Sequence, residues 1–167
     1  MTRINYVETK EQLDKCIDDL KGRRKIAVDT ETNGLDPLAN NLLLIQMGTK
    51  DVQYIVDVFK LQKYLPQLSA ILDNPDIEKI FHNAKFDLKF LKAQANLDVN
   101  RVKCTMINDQ LLYAGRKVSH SLQNTLNRHL SIPIAKEQQK SFIDMRFGEE
   151  FTREQIQYAG VDVEHLI

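Results

Sequence analysis

Residues 26 to 37 read IAVDTETNGLDP, and both the fold and the candidate chemistry turn on them. The apolar run Ile26-Ala27-Val28 leads straight into Asp29 and Glu31, and the segment Thr32 to Pro37, with Gly34 and Pro37, breaks the run. This pattern predicts a buried strand that ends in two carboxylates and opens into a turn. Side chains alternate across a strand, so Asp29 and Glu31 share a face. Two acids on one face repel and lose solvation unless something positive sits between them, and a divalent metal is the usual remedy. The plainer alternative is a solvated strand end, because Asp-x-Glu arises often by chance.

Working outward, Ile4 to Val7 predicts a short strand. Thr9 with Gln12 three residues on suits a capping box, and Leu13, Ile17 and Leu20 repeat as one face of a helix that Gly22 ends. Leu42–Met47 and Val52–Phe59 predict two strands joined by a tight loop at Gly48 to Asp51. Leu61, Tyr64, Leu65, Leu68, Ile71 and Leu72 predict one amphipathic helix. Glu78–Phe81 and Val102–Cys104 predict brief strands, and Ala84–Ala95, Met106–Tyr113 and Leu122–Leu130 predict helices. Ile132–Phe151 reads as a loop with a short helix, and Thr152 caps a last helix over Arg153–Ile167. Three consecutive strands followed by helix–strand alternation predict an α/β fold. Its expected form is a mixed sheet of five to six strands, helices on both faces, with Val28-Asp29 central.

The 167 residues suit one domain spanning 1–167, and 43% hydrophobic with 28% charged residues is ordinary for a soluble globular protein. Lys plus Arg equals Asp plus Glu, 23 of each, which argues against a broadly basic nucleic-acid coat. A site whose acids are neutralised by metal would still leave nearby Lys and Arg unopposed. Cys16 and Cys104 lack partners at metal spacing and read as small buried or half-buried thiols of a reducing compartment. No apolar signal core and no run of about 18 apolar residues is present, so no membrane partner and a cytoplasmic location are expected.

Two later segments carry acids. In HNAKFDLKFL (residues 82 to 91), Asp87 lies early in a helix, where an acid is favoured by the helix dipole alone. In YAGVDVEHL (residues 158 to 166), Tyr158 and Asp162 are four apart and share a helix face, opposite the apolar Ile156, Ala159, Val163 and Leu166. A solvated face is the plainer reading of that pair. Together, four carboxylates and a tyrosine form a set that can hold two divalent ions.

The joint presence of Asp29-Thr30-Glu31, the HNAKFD segment and Tyr158-x-x-x-Asp162 resembles the three motifs of the DEDDy branch of the DnaQ-like 3′→5′ exonucleases. That branch includes ribonuclease D, the Werner-type exonucleases and the proofreading domain of family A DNA polymerases. The resemblance implies an RNase H-like fold and hydrolysis from a 3′ end with two divalent ions, Mg²⁺ or Mn²⁺. It implies that Asp29 bridges both ions, that Glu31 and Asp162 complete the site holding the attacking water, and that Asp87 serves the second ion. Tyr158 would orient the water. The histidine of the sister branch would fall at Gln157, so the tyrosine class applies.

The same resemblance puts Thr30, Leu35, His82, Asn83 and Phe142 at the substrate. Leu35 would wedge against terminal bases, Asn83 would approach the last nucleotide, and Phe142 would stack on a base or else anchor its loop in the core. Lys85, Lys89, Lys136 and Lys140 are candidates for phosphates. The Gly34-Leu35-Asp36-Pro37 turn favours DNA and a proofreading-like role. Residues 136 to 142, KEQQKSF, resemble ribonuclease D and favour RNA, the alternative substrate. The expected partner is a single-stranded or frayed 3′ end. The chain runs five residues past Asp162, so either a polymerase domain in the same longer chain or a small stand-alone nuclease is a further expectation. The competing readings are an RNase H-like endonuclease and a weakly active or non-catalytic nucleic-acid-binding domain.

Overall fold

The computed structural model describes residues 3–132 and 139–167, apart from the side chains of Gln139, Lys140 and Asp162. Lys136 and the side chain of Lys140, two of the candidate phosphate contacts, therefore lie outside the described residues. The strands are β1 (Arg3–Val7), β2 (Lys25–Thr32), β3 (Leu42–Gly48), β4 (Val52–Asp57), β5 (Glu78–Phe81) and β6 (Val102–Cys104). They form one mixed sheet in the order β1-β4-β3-β2-β5-β6. β2, β3 and β4 run antiparallel to their neighbours in that trio, while β1 joins β4, β5 joins β2 and β6 joins β5 in parallel. β2 is central, as its flanking apolar residues require.

Every residue of β3 and β4 is buried, because both faces of the sheet are covered. On one face, Val28, Ile45, Met47 and Val56 pack with Leu13, Cys16 and Leu20 of α1 (Lys10–Leu20) and with Phe90 and Leu91 of α4 (Ala84–Ala95). On the other, Leu44 and Ile55 pack with Phe142 and with Ala159 of α7 (Arg153–Glu164), and Ala27 and Ile80 pack with Val163 and Leu166. The capping boxes expected at Thr9 and Thr152 are both formed, with Gln12 and Gln155 reaching back to the cap. α5 (Thr105–Leu112) and α6 (Leu122–Leu130) fall where expected. Cys16 and Cys104 are free and buried. Among the described residues no helix is long and apolar enough to cross a membrane.

The expected helix over 61–72 is instead α2 (Val58–Leu61), a 3-10 segment (Gln62–Leu68) and α3 (Ser69–Leu72). Pro66 lies inside it; its missing N–H and its ring exclude a regular α-helix there. β4 stops at Asp57, short of Phe59, because the Asp57 carboxylate accepts from the Lys60 N–H at 2.9 Å and starts α2. α7 ends at Glu164 rather than Ile167.

The pairing of β2 also shapes the cleft. β5 pairs with β2 only over Lys25 to Ala27. From Val28 onward, β2 has no strand on that side among the described residues, and Asp87 of the first turn of α4 meets Thr30 there.

Candidate active site

Asp29, Glu31, Asp87 and Tyr158 line one cleft of about 280 Å³. The first two come from the end of β2, Asp87 from α4 and Tyr158 from α7. α4 begins at Asn83, whose φ of 66° is left-handed, a conformation asparagine tolerates better than most residues. That sharp entry turns the first turn of α4 back toward β2. Asp87 is 2% exposed and accepts a 2.6 Å hydrogen bond from the Thr30 hydroxyl. Burial pushes the Asp87 carboxyl up to about 7, against the donors of Thr30, its own N–H and the side chain of Asp29. Asp29 and Asp87 are thus in side-chain contact, and Glu31 is buried on the same face of β2 as Asp29. Acids so placed hold a proton or a cation between them.

Asp162 lies on α7, a helical turn beyond Tyr158 and so on the same helix face; its side chain is outside the described residues. Among the described residues, no group of three or more acid, histidine or cysteine side chains is arranged to hold a metal ion. The set read from the sequence has four members, of which the described residues supply three.

The expected substrate residues divide. Leu35 is 84% exposed, so it is not tucked beneath the sheet, and it borders a crevice of about 150 Å³ with Asn83, Lys85, Phe86 and Lys89. Asn83 is exposed and lines both this crevice and the cleft. Phe142 corrects the expectation of base stacking: it is fully buried among Leu44, Ile55 and Ala159, with its ring 6.3 Å from that of Tyr158. It has no open face for a base and instead supports Tyr158 from behind. Thr30 lines the cleft, yet its hydroxyl is committed to Asp87, so it positions the acid rather than a substrate.

His82 lines the cleft as well, but both ring nitrogens are engaged within the protein. Nε2 donates to the His120 carbonyl at 2.9 Å, and Nδ1 meets the Thr105 hydroxyl at 2.8 Å. Burial keeps its pKa below the ordinary value, which suits a neutral ring. Its contribution to the cleft is therefore shape.

Several residues were not singled out from the sequence. Phe86, Met106, Ser121, Leu122 and Gln123 complete the cleft wall. Gln94 of α4 clamps the turn after β2: its amide nitrogen donates to Pro37 O at 2.8 Å and to Asn40 O, and its oxygen accepts from Leu42 N at 2.7 Å. A Cβ at Gly34 would stand 2.2 Å from the Asn40 side chain, so a larger residue there would displace Asn40 from the Asp36 N–H it accepts from. Behind His82, buried Asp109 accepts from His120 Nδ1 (2.6 Å), Arg128 Nη1 (2.7 Å) and His129 Nε2 (2.7 Å). Burial alone would raise its carboxyl; those donors outweigh burial and hold it below the usual range. Gln46 pairs directly with Asp29 across β2 and β3 and is fully buried, with no partner for its amide among the described residues. Apart from Gly34, which marks its turn locally, these residues have no local pattern, because each acts across distant segments.

Residues 4–167 match a family model described as 3′-5′ exonuclease. The exosome complex exonuclease RRP6 of Saccharomyces cerevisiae is 34% identical over 94 residues, which are 56% of this chain and 13% of that protein. The catalytic core of RRP6 from Trypanosoma brucei superposes with a TM-score of 0.87 at 25% identity, over 99% of this chain and 44% of that one. NrnC of Brucella melitensis with bound Mg²⁺ gives a TM-score of 0.79 at 27% identity, over 99% of this chain and 77% of that one. The chain spans less than a fifth of the length of the curated relatives it matches.

Proposed function

The chain belongs to the 3′-5′ exonuclease family, and from that premise we propose that its cleft removes nucleoside 5′-monophosphates one at a time from the 3′ end of a single-stranded polynucleotide. The carrying observation is the buried acid pair, Asp87 held by Thr30 against Asp29 at the open edge of β2. Such a pair adds no stability of its own, whereas a hydrolase for phosphodiesters needs it to gather positive charge.

The donor set suits hard cations that take oxygen ligands, Mg²⁺ or Mn²⁺. Asp29, Glu31 and Asp87 of the cleft, together with Asp162 of the third motif, are the residues that would hold the ions. When bound, the ions supply Lewis acidity toward water and toward the phosphate oxygens. The remaining work belongs to the chain. Tyr158, backed by Phe142, orients the attacking water in line with the scissile bond. Thr30 fixes the Asp87 carboxyl. Leu35 and Asn83 hold the last nucleotide, and His82 shapes the wall beside it. Water forms a bond to the terminal phosphorus as the P–O3′ bond breaks, and the departing 3′ oxygen takes up a proton.

RNA is the proposed substrate ahead of DNA. The turn at Gly34 to Pro37 favours DNA; the weight on the other side is that the matched curated relatives are exosome exonucleases and exosome components. The test is a side-by-side digestion of sequence-matched single-stranded RNA and DNA with Mg²⁺ or Mn²⁺. Faster loss of RNA from the 3′ end is expected. Faster loss of DNA would restore the proofreading-like reading, and no loss of either would favour a binding domain.

A further inference from the structure

The cleft does not end at Leu35. Asn83 and Phe86 pass from the cleft into the 150 Å³ crevice beneath Leu35, and Lys85 and Lys89 pass from that crevice into an open trough of about 1040 Å³. The trough runs along the outer side of α4. Its apolar lining includes Pro37, Leu38, Leu88 and Ile107, and Leu38 and Ile107 are 90% and 52% exposed. Gln94 ties the turn carrying Pro37 to α4, so the two walls of the trough are fixed to each other.

Its charge is one-sided. α4 carries four charged residues; the single acid, Asp87, is buried toward the cleft, while Lys85, Lys89 and Lys92 are exposed. Their i, i+4, i+7 spacing lines three ammonium groups along about 10 Å of helix. Among the described residues Lys85 and Lys89 take no carboxylate partner. Lys92 pairs with Asp98 at 2.9 Å, an exposed pair of the kind that releases easily, and Lys103 pairs with the half-buried Glu78 at 3.0 Å. The one acid among the described residues lining the trough, Asp36, has a carboxylate oxygen engaged by the Leu38 N–H at 2.9 Å. In a chain of zero net charge, this is a local surplus of positive charge over an apolar floor, beginning at the cleft mouth.

We propose that this trough is a second binding site, for the single strand behind the 3′ end, with backbone phosphates on Lys85, Lys89 and Lys92 and the less polar faces of the nucleotides on Pro37, Leu38 and Ile107. The inference rests on the cleft being where a 3′ end is held. It makes the protein length-sensitive: nucleotides upstream of the last two or three add affinity through charge.

The test compares wild type with the double variant Lys85→Ala/Lys89→Ala, using 5′-fluorescein single-stranded oligonucleotides of three and twelve nucleotides in EDTA. Anisotropy reads the twelve-mer from 50 to 200 mM NaCl, and competition reads the three-mer. Two lost phosphate contacts reduce the slope of log K against log salt by about 1.4. The twelve-mer should bind about tenfold more weakly at 50 mM NaCl with that shallower slope, the three-mer should lose much less, and Lys85→Arg/Lys89→Arg should restore binding. An unchanged twelve-mer slope would overturn the proposal, as would an equal loss for both lengths, which would put the lysines in the cleft itself. Lysine-dependent twelve-mer binding by a protein that digests nothing with Mg²⁺ would uphold the trough and sink the exonuclease reading. Digestion with an unchanged slope would do the reverse.

Discussion

Replacing Asp87 by asparagine should make the metal-free protein more stable while removing its activity. Asp87 is 2% exposed, and burial lifts its carboxyl from the ordinary 3.8 to about 7. A folded-state pKa above the unfolded one means stability that is fully present below pH 4 and lost as pH rises toward 7. The loss levels off above 7, and the gap is worth about 4 kcal/mol as an upper figure. The substituted amide would keep an acceptor for the Thr30 hydroxyl, and its N–H could donate to Asp29, so an acid pair becomes a hydrogen-bonded one. In a protein of this size each kcal/mol moves Tm by about 2–4 °C. Thermal melts in EDTA should therefore show Asp87→Asn melting up to about 10 °C above wild type at pH 8, the advantage shrinking steadily toward pH 4.5. Adding Mg²⁺ at pH 8 should raise wild-type Tm more than the variant's, because the variant keeps Asp29, Glu31 and Asp162 for one ion and loses the acid that serves the other. Hydrolysis by the variant should fall at least about 100-fold, about 3 kcal/mol of transition-state stabilisation. A variant less stable than wild type at pH 8, or a difference that does not vary with pH, would refute the account of Asp87.

Other substitutions separate support from chemistry. Tyr158→Phe should cost less turnover than Asp162→Ala, about tenfold against about 1000-fold, because one loses orientation of water and the other a ligand; single-turnover rates check the order. Asp109→Asn should lower stability by about 3 kcal/mol at pH 7, since Arg128 and His129 lose their buried partner. Asp109 has a depressed pKa, so its contribution is present above the unfolded value near 4 and lost on acidification below it; the wild-type-to-variant gap in Tm should close there. Leu35→Ala should leave Tm within about 2 °C, given 84% exposure, yet raise KM for an oligonucleotide end.

The sheet was legible because its signals are local. The apolar run before Asp29, the hairpin residues at Gly48 to Asp51 and the caps at Thr9 and Thr152 each fix an element from a few neighbours. The helix over 61–72 misled because its apolar spacing is helical while Pro66 forbids the hydrogen bonds; periodicity does not see a missing N–H. In the site, Asp29, Glu31, Asp87 and Tyr158 were found from three motifs, and the fold brings them to one cleft. Phe142 failed as a base platform because burial depends on α7 and β3 meeting over it, which no neighbouring residue announces. His82 and Thr30 line the cleft as expected, but their polar atoms are already bonded inside the protein, again through distant partners.

The acids of the cleft are proposed to hydrolyse a strand from its 3′ end. A 5′-labelled single strand, offered with a free or a blocked 3′ hydroxyl in Mg²⁺, tests this most directly, with Asp29→Ala as the matched variant. The expected result is a ladder shortening one nucleotide at a time from the free end, mononucleotide 5′-phosphates as product, protection by the block, and no ladder from the variant. Internal cleavage of the blocked strand, or an undiminished ladder from Asp29→Ala, would contradict it.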